Sequence, residues 1–517
     1  MAIVYELFRA GLISAALWII WRIATVWISV SPLENIPGPS SPSFIQGNFG
    51  QLFGPHGWDF LFALSQKYGT VVKFHGPLGM KALYVFDPEA MSSIVVKDQY
   101  MYERSDEIIQ HRKMLNPVFS TAHMRQMVPI FYKIAHDLRD AIALRVREGA
   151  QEVDILDWMA RTALELVGQA GLGYSFDPLV RDKADKYGEA IKAIVPTFIR
   201  LAIFFPLFPK VKNIGTPALR RRMLKVIPNK AIKKAMEISD VLDEQSRRIF
   251  EEKKLAMKQG DEAVLRQIGE GKDILSRLMQ ANMAASDEDK LPDHELLGQM
   301  STFIFAGMDT TSGALARILH LLAQNPHVQD KLRSEILEVG NGQEIPHDQL
   351  VELPYLDAVC RETLRLAQAD MILPLSKPIL GVDGSLVHEI TVPKGTEVWV
   401  GISAINRNPE IWGPDAHEWK PERWLSPLPE SVTSARIPGV YSNLMTFSGG
   451  GRSCIGFKFS QLEMKVVLTV LLTTFTFSLS ERDSDIYWNF ASIQYPTVGK
   501  ESKKPSMPMK VNFVKKI

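Results

Sequence analysis

Only two cysteines, Cys360 and Cys454, occur in 517 residues. Two thiols in so long a chain build no disulfide framework and no four-ligand zinc site, and they suit a reducing setting for the folded part. Charge of one sign is lacking too: 59 lysines and arginines face 58 aspartates and glutamates, a formal net charge of +1. A general nucleic-acid binder would carry a clear basic excess, so no nucleic-acid partner is expected. Internal repeats and low-complexity tracts are absent as well. The clearest long hydrophobic run is Gly11 to Val30, which is apolar except for Arg22 and carries Trp18, Trp21 and Trp27. A single bilayer span needs about 20 apolar residues. A long arginine near one end of it can snorkel, and the tryptophans suit an interface. A cleaved signal peptide is the rival reading. The missing disulfide set and the length of the run favour an anchor with a cytosolic body.

What is present begins after that run. Pro37-Gly-Pro39-Ser-Ser-Pro42 forms a stiff hinge, which would hold a globular body at a set tilt. The expected order is an anchor over 1–30, a hinge over 31–50 and one catalytic domain over 51–517. Trp58–Tyr68 reads as a short helix, Val71–His75 and Ala82–Phe86 as strands about a Gly-Pro-Leu-Gly turn, and Pro88–Lys97 as a helix capped by Asp87. From Thr121 to about Gln324 the pattern is helical, with helices expected over Met127–Arg147, Trp158–Gly171, Lys183–Ile199 and Pro228–Gln259. Phe198–Pro209 is apolar and broken by proline, which fits buried core or a second membrane contact beside a substrate entrance. Strand patterning recurs at Ile372–Pro374, Leu386–Val392, Glu397–Val400, Phe475–Ser480 and Met509–Val514. The fold class is mainly α with small β-sheets.

Three stretches carry chemistry. Phe447-Ser-Gly-Gly-Gly-Arg-Ser-Cys-Ile-Gly456 places Cys454 in a glycine-rich loop before a long apolar helix. A thiol there meets unpaired N–H groups and the positive end of the helix dipole, both of which favour thiolate. Pro292–Gln324 is one long helix whose centre reads Phe305-Ala-Gly-Met-Asp-Thr-Thr-Ser312. Glycine weakens a helix by about 1 kcal/mol against alanine, and the Thr310 hydroxyl competes for the carbonyl of Ala306. The result is a local groove with a carboxylate and a hydroxyl, although such a helix is equally compatible with packing through its small residues. In Glu362-Thr-Leu-Arg365 the two charges share a helix face, and Arg423 of Pro421-Glu-Arg-Trp424 is placed to join them, so that Glu362 is paired on both oxygens.

The glycine loop is not a phosphate loop, because no Gly-Lys-Ser/Thr follows it. A cysteine hydrolase needs a partner histidine, and nothing singles one out among eleven. A haem thiolate needs one cysteine, a turn that brings the backbone close, and cations for two propionates. Gly450 and Gly456 suit the approach, Arg452 suits a propionate, and Phe447 suits a cover over the thiolate. A donating thiolate favours cleavage of the O–O bond on the opposite face.

With those residues in view, the chain resembles the cytochrome P-450 superfamily of haem-thiolate monooxygenases over essentially its whole length. Phe-x-x-Gly-x-Arg-x-Cys-x-Gly matches at 447–456, Ala-Gly-x-Asp-Thr-Thr at 306–311, Glu-x-x-Arg at 362–365 and Pro-Glu-Arg-Trp at 421–424. The style is similar to membrane-bound fungal members, especially those of wood-rotting and mushroom-forming fungi. The resemblance implies a long central helix over the haem and the cysteine loop beneath it. It implies Cys454 as the iron ligand and Asp309 with Thr310 as the relay that protonates bound dioxygen. It further implies Ala306 and Gly307 as the oxygen-side floor, Arg112 as a propionate partner, and Glu362, Arg365 and Arg423 as a structural triad. Electrons would come from an NADPH-dependent flavoprotein reductase, docked with help from Arg112, Lys113, Lys458 and Lys465. The substrate would be a lipophilic small molecule (a terpenoid, steroid or aromatic compound) hydroxylated at the endoplasmic reticulum membrane.

Two places depart from the family pattern. Around 105–112 a pocket-roof segment is nearly absent, and the aromatic or histidine partner expected one turn before Arg112 is Ile108. Around 365–370 the helix runs almost directly into a strand, without the proline-rich loop that carries a second propionate cation. A haem carboxylate lacking a partner is costly if buried. The alternative is therefore a catalytically impaired haem-binding variant, or a mis-spliced product lacking two pocket loops.

Overall fold

The computed structural model describes residues 31–514, apart from 55–56, 100–111, 151, 178, 180–185, 202–210, 212–213, 266–267, 269, 287–289, 367–378, 381, 388–389, 394–395 and 490–493. The expected anchor over 1–30, most of the shortened stretch at 105–112, the stretch from 367 and the strand at 372–374 lie outside the described residues. So does most of the apolar patch, of which Phe198–Leu201 is seen. Among the described residues no helix is long and apolar enough to cross a membrane.

The chain divides into two compact units. The first takes the described parts of Met1–Tyr102, Gln368–Ala416 and Glu430–Arg452. Its sheet pairs β1 (Val71–His75) antiparallel with β2 (Lys81–Val85), and β2 parallel with β6 (Glu397–Val400). The turn between β1 and β2 is tight because Leu78 takes φ 56°. Helix α1 (Gly57–Lys67) buries Trp58, Leu61 and Leu64. Asp87 opens α2 (Pro88–Ser92) by accepting from the N–H groups of Glu89 and Ala90, the expected cap; the chain then widens into a π-turn over Ser93–Lys97. The proline hinge is not free in the structure, since the Lys73 N–H donates to Pro37 O at 2.8 Å. Two antiparallel hairpins complete the unit: β4 (Ile379–Leu380) with β5 (Leu386–Val387), and β7 (Gly439–Tyr441) with β8 (Leu444–Gly449). The strand expected over Leu386–Val392 is thus much shorter, and β7–β8 has no counterpart in the sequence reading.

The second unit takes Glu103–Ala367, His417–Pro429 and Ser453–Ile517. It is a helical body. Helix α3 (Thr121–Arg147) carries Pro129 inside it and is capped by Ser120. Helix α4 (Ile155–Leu166) passes into a π-turn over Val167–Leu172, which Gly173 ends at φ 62°. The helix expected over 183–199 is two helices, α5 (Lys186–Lys192) and α6 (Ile194–Leu201). Then come α7 (Pro217–Lys225), α8 (Lys230–Gln259), α9 (Ile274–Ala284), the 32-residue α10 (Asp293–Gln324), α11 (Pro326–Gly340) and α12 (Pro354–Arg365). Last is α13 (Phe457–Thr474), whose Phe459 packs edge-on against Phe131 of α3 at 4.9 Å. The strand order β3 (Val153–Asp154), β12 (Pro508–Phe513), β9 (Phe475–Leu479) makes a small sheet, and β10 (Ile486–Asn489) pairs with β11 (Tyr495–Val498).

Candidate active site

Helix α10 is buried at Leu296, Met300, Ile304, Met308 and Thr311. Gly298, Thr302, Ala306 and Thr310, spaced one turn apart, are exposed. At 1.5 Å per residue that open stripe runs about 18 Å along the helix. Along it Thr302 Oγ1 donates to Gly298 O at 2.9 Å, and Thr310 Oγ1 donates to Ala306 O at 2.6 Å. The expected back-bond is therefore present, and it leaves the lone pairs of each hydroxyl free to accept. Gly307 has a packing reason: a Cβ there would sit 2.6 Å from Val167 Cγ2. The two residues expected as one floor thus divide, with Ala306 open and Gly307 packed.

Asp309 is half-buried, and burial pushes its carboxyl up to about 6, with Lys192 of α5 pulling the other way. Lys192 Nζ is itself tied to Asp157 at 3.0 Å and Glu189 at 3.4 Å. Nothing in the sequence points to Lys192, because α5 and α10 are far apart in the chain. An unfolded aspartate titrates near 3.9, so the sign is set: the folded chain keeps a proton that the unfolded chain has already lost. Above a pH of about 6 the fold must hold a desolvated carboxylate, and stability falls as pH rises through that value. Asp309→Asn is expected to raise the melting temperature at about pH 8 and leave it nearly unchanged at about pH 4. Thermal melts at the two pH values check this, and equal shifts at both would refute it.

The cysteine loop passes from the first unit to the second at Arg452–Ser453. In the first, Phe447 packs edge-on against Tyr441 at 5.7 Å. Gly450 takes φ +55°, and a Cβ there would lie 1.8 Å from Val95 O, so only glycine fits. Arg452 is half-buried in a short 3-10 turn over Gly450–Arg452. In the second unit Cys454 is exposed, whereas Cys360 is fully buried with its thiol pushed up to about 12. Arg112 Nη2 donates to Ser453 Oγ at 2.9 Å, a partner that the motif did not suggest. The walls around the Cys454 sulfur push its thiol above the ordinary value, while the Gly456 N–H and the Arg112 guanidinium oppose the shift. Helix α13 begins at Phe457, after the loop has closed. Gly456 has an ordinary φ of −87°, and a Cβ there would meet only the Phe119 ring at 3.9 Å. The fold itself does not demand glycine at this position, which leaves room for a bulky planar group. Phe119 in turn packs edge-on against Phe303 of α10 at 6.0 Å.

The third cluster is complete. Arg365 Nε and Nη2 donate to Glu362 Oε2 and Oε1 at 2.9 and 2.8 Å, with both side chains fully buried. Arg423 Nε reaches Oε1 at 3.4 Å. Sequence reasoning missed two further donors to the same carboxylate: Trp424 Nε1 at 2.9 Å and the Lys420 N–H at 3.0 Å. Lys465 needs correction. Expected on a reductase-facing surface, it is 2% exposed and bonded to Asp357 and to Val351 O, both at 2.8 Å. A lysine on an apolar helix buries its stem, and here its charge is paired inside.

These features fit a haem: one accessible thiol, an arginine beside it, space at Gly456 and a long open helix face bearing a hydroxyl. The family model "Cytochrome P450" matches residues 101–497. The chain is 62% identical to cytochrome P450 monooxygenase 91 of Postia placenta, with 99% of each chain covered. It belongs to the cytochrome P450 family. This P450 is also 49% identical to cytochrome P450 monooxygenase 81 of the same fungus, over 98% of this chain and 97% of that one. A ganoderic acid synthetase of Ganoderma lucidum is 48% identical, with 96% and 97% covered. The fold class and the monooxygenase activity expected from the sequence agree with these relatives.

Proposed function

We propose that this P450 hydroxylates a lipophilic small molecule at a haem held by Cys454, with electrons from an NADPH-dependent flavoprotein reductase. Carrying the proposal is the single accessible thiol beside Arg112, in a chain whose other cysteine is sealed in the core. When bound, the haem supplies the activation of dioxygen and the transfer of one oxygen atom to the substrate. Cys454 would hold the iron, Arg112 and Arg452 would face the haem carboxylates, and Phe447 would keep water from the sulfur. Asp309, poised near neutral pH, exchanges a proton at its carboxyl oxygens, and Thr310 Oγ1 passes it along the open face of α10. Glu362 with Arg365 and Arg423 braces the body that presents them. Of the substrate classes, a terpenoid is favoured by the relative named for ganoderic acid. Residues 1–30 anchor the chain in the endoplasmic reticulum membrane with a cytosolic body, and exposed Lys113 and Lys458 are the basic groups left to meet the reductase.

A second reading, a haem-binding but impaired chain, is favoured by length. The alignment with the 62% identical relative runs over 541 positions, against 517 residues here, and the sequence departs from the family pattern at 105–112 and 365–370. The reduced, carbon monoxide-bound difference spectrum of the full chain separates the two. A Soret band at the thiolate position supports the monooxygenase; a band at the ordinary haem-protein position, or no band, sinks it.

A further inference from the structure

Beyond its open stripe, helix α10 carries a polar cluster toward its C-terminal end. Arg317, His320 and Gln324 lie on one side of the helix, at i, i+3 and i+7. The His320 ring is 4% exposed. Its Nε2 lies 2.7 Å from Asp483 Oδ1, and Arg317 Nη1 lies 3.1 Å from its Nδ1. Asp483 begins the short 3-10 turn Asp483–Asp485, which leads directly into β10. Arg317 also lies over the ring of Trp488 on β10, 4.7 Å from its centre, and the same ring stands 6.0 Å from that of His320. The β10–β11 hairpin is a tight unit in itself, because Asn489 Nδ2 donates to Thr497 Oγ1 at 2.8 Å inside it. These side chains of α10 therefore grip the hairpin at two points, the turn at Asp483 and the ring of Trp488.

The two charged neighbours fix the proton on the ring. A guanidinium only donates, so Nδ1 keeps its lone pair for Arg317; a carboxylate only accepts, so Nε2 carries the hydrogen. The Gln324 amide, 3.4 Å from Nε2, is a weaker and uncharged neighbour. Among the described residues the charged groups against the ring are thus Arg317 from α10 and Asp483 from the turn. A second proton can enter only at Nδ1, where it meets the N–H groups and the positive charge of Arg317. We infer that Arg317 and His320 form an acid-sensitive latch, which holds β10 to α10 while His320 is neutral and lets Trp488 go when His320 is protonated. Asp483 stays as the partner of the imidazolium, so acid opens one of the two points and leaves the hairpin tethered at the other. Burial holds His320 below the ordinary histidine value, with Asp483 opposing that shift and Arg317 adding to it. A free histidine titrates near 6.5. The closed latch therefore binds fewer protons than the open one: it is fully stable above a pH of about 6.5 and is lost as pH falls through the lower value of the closed state.

Hydrogen exchange read by mass spectrometry on the full chain tests this. Rates at a pH of about 7.5 and about 5.5 are first corrected for the intrinsic pH dependence of amide exchange. Peptides covering β10 and β11 are then expected to exchange about tenfold faster at the lower pH, while those covering β9 and β12 are unchanged. His320→Gln keeps one donor and one acceptor on the side chain but cannot take a second proton. It should hold the hairpin closed and remove the acid response. Arg317→Met withdraws the guanidinium from both His320 and Trp488, and should leave β10 exchanging fast at both pH values. Equal corrected exchange of β10 at the two pH values in the parent would overturn the inference. So would an acid response kept by His320→Gln, or slow exchange at both pH values in Arg317→Met. Acceleration of β9 and β12 to the same extent as β10 would also overturn it, because acid would then be loosening the whole helical body and not a latch.

Discussion

Cys454→Ser is expected to leave the fold intact and to abolish the thiolate-type Soret band of the reduced, carbon monoxide-treated chain. Serine is nearly isosteric, and position 454 is exposed, so little packing is lost. An alkoxide is far less accessible than a thiolate, and oxygen is a harder ligand than sulfur, so the iron would lose the donor that favours O–O cleavage. Hydroxylation should fall at least about a thousandfold, equivalent to about 4 kcal/mol of barrier. Two companion variants sharpen the reading. Cys454→His restores an axial ligand without a thiolate and should shift the band to the ordinary haem-protein position. Cys360→Ala removes the other sulfur, which is fully buried, and should keep the thiolate band at some cost in stability. If Cys454→Ser keeps the band, the iron is held elsewhere and the proposed site is wrong.

Why was this site readable in the sequence while its surroundings were not? Local chemistry carries local signals. Asp87 before Pro88, the Thr310-to-Ala306 back-bond and the i, i+3 pairing of Glu362 with Arg365 depend only on near neighbours, and each appears as expected. Contacts between distant segments leave no such trace. Lys192 beside Asp309, Ser453 beneath Arg112 and Trp424 on Glu362 are set by how helices pack. Lys465 misled for the same reason. On α13 it looks like one more surface cation, yet the helix is buried on nearly every side, so its charge had to find Asp357. Short hairpins were also missed or misjudged: β7–β8 and β10–β11 lack a run of β-branched alternation long enough to stand out. Gly307 shows the opposite limit. Its smallness was visible, but whether it served a ligand or Val167 was decided only by packing.

Glu362→Ala is expected to be the most destabilising single change in the chain. Removing the carboxylate leaves the guanidinium of Arg365 fully buried and that of Arg423 nearly so, and it withdraws the acceptor from Trp424 Nε1 and the Lys420 N–H. Breaking a buried ion pair by deleting one partner costs about 3–5 kcal/mol, and each orphaned neutral donor adds about 1–3 kcal/mol. Against a total stability of about 5–15 kcal/mol that sum leaves little folded protein, so the variant should be recovered in low yield and melt far below the parent. Glu362→Gln keeps the shape and one acceptor oxygen but turns an amide N–H₂ toward a guanidinium, and should fall between the two. The double variant Glu362→Leu/Arg365→Met separates charge burial from packing. It removes both members of the tightest pair, so it should be more stable than Glu362→Ala alone despite carrying one more substitution. It should not regain parental stability, because the bonds from Arg423, Trp424 and Lys420 to the Glu362 carboxylate are still lost. Urea midpoints for the parent and all three variants check the order. A Glu362→Ala chain within about 1 kcal/mol of the parent would mean that water reaches the cluster and screens it.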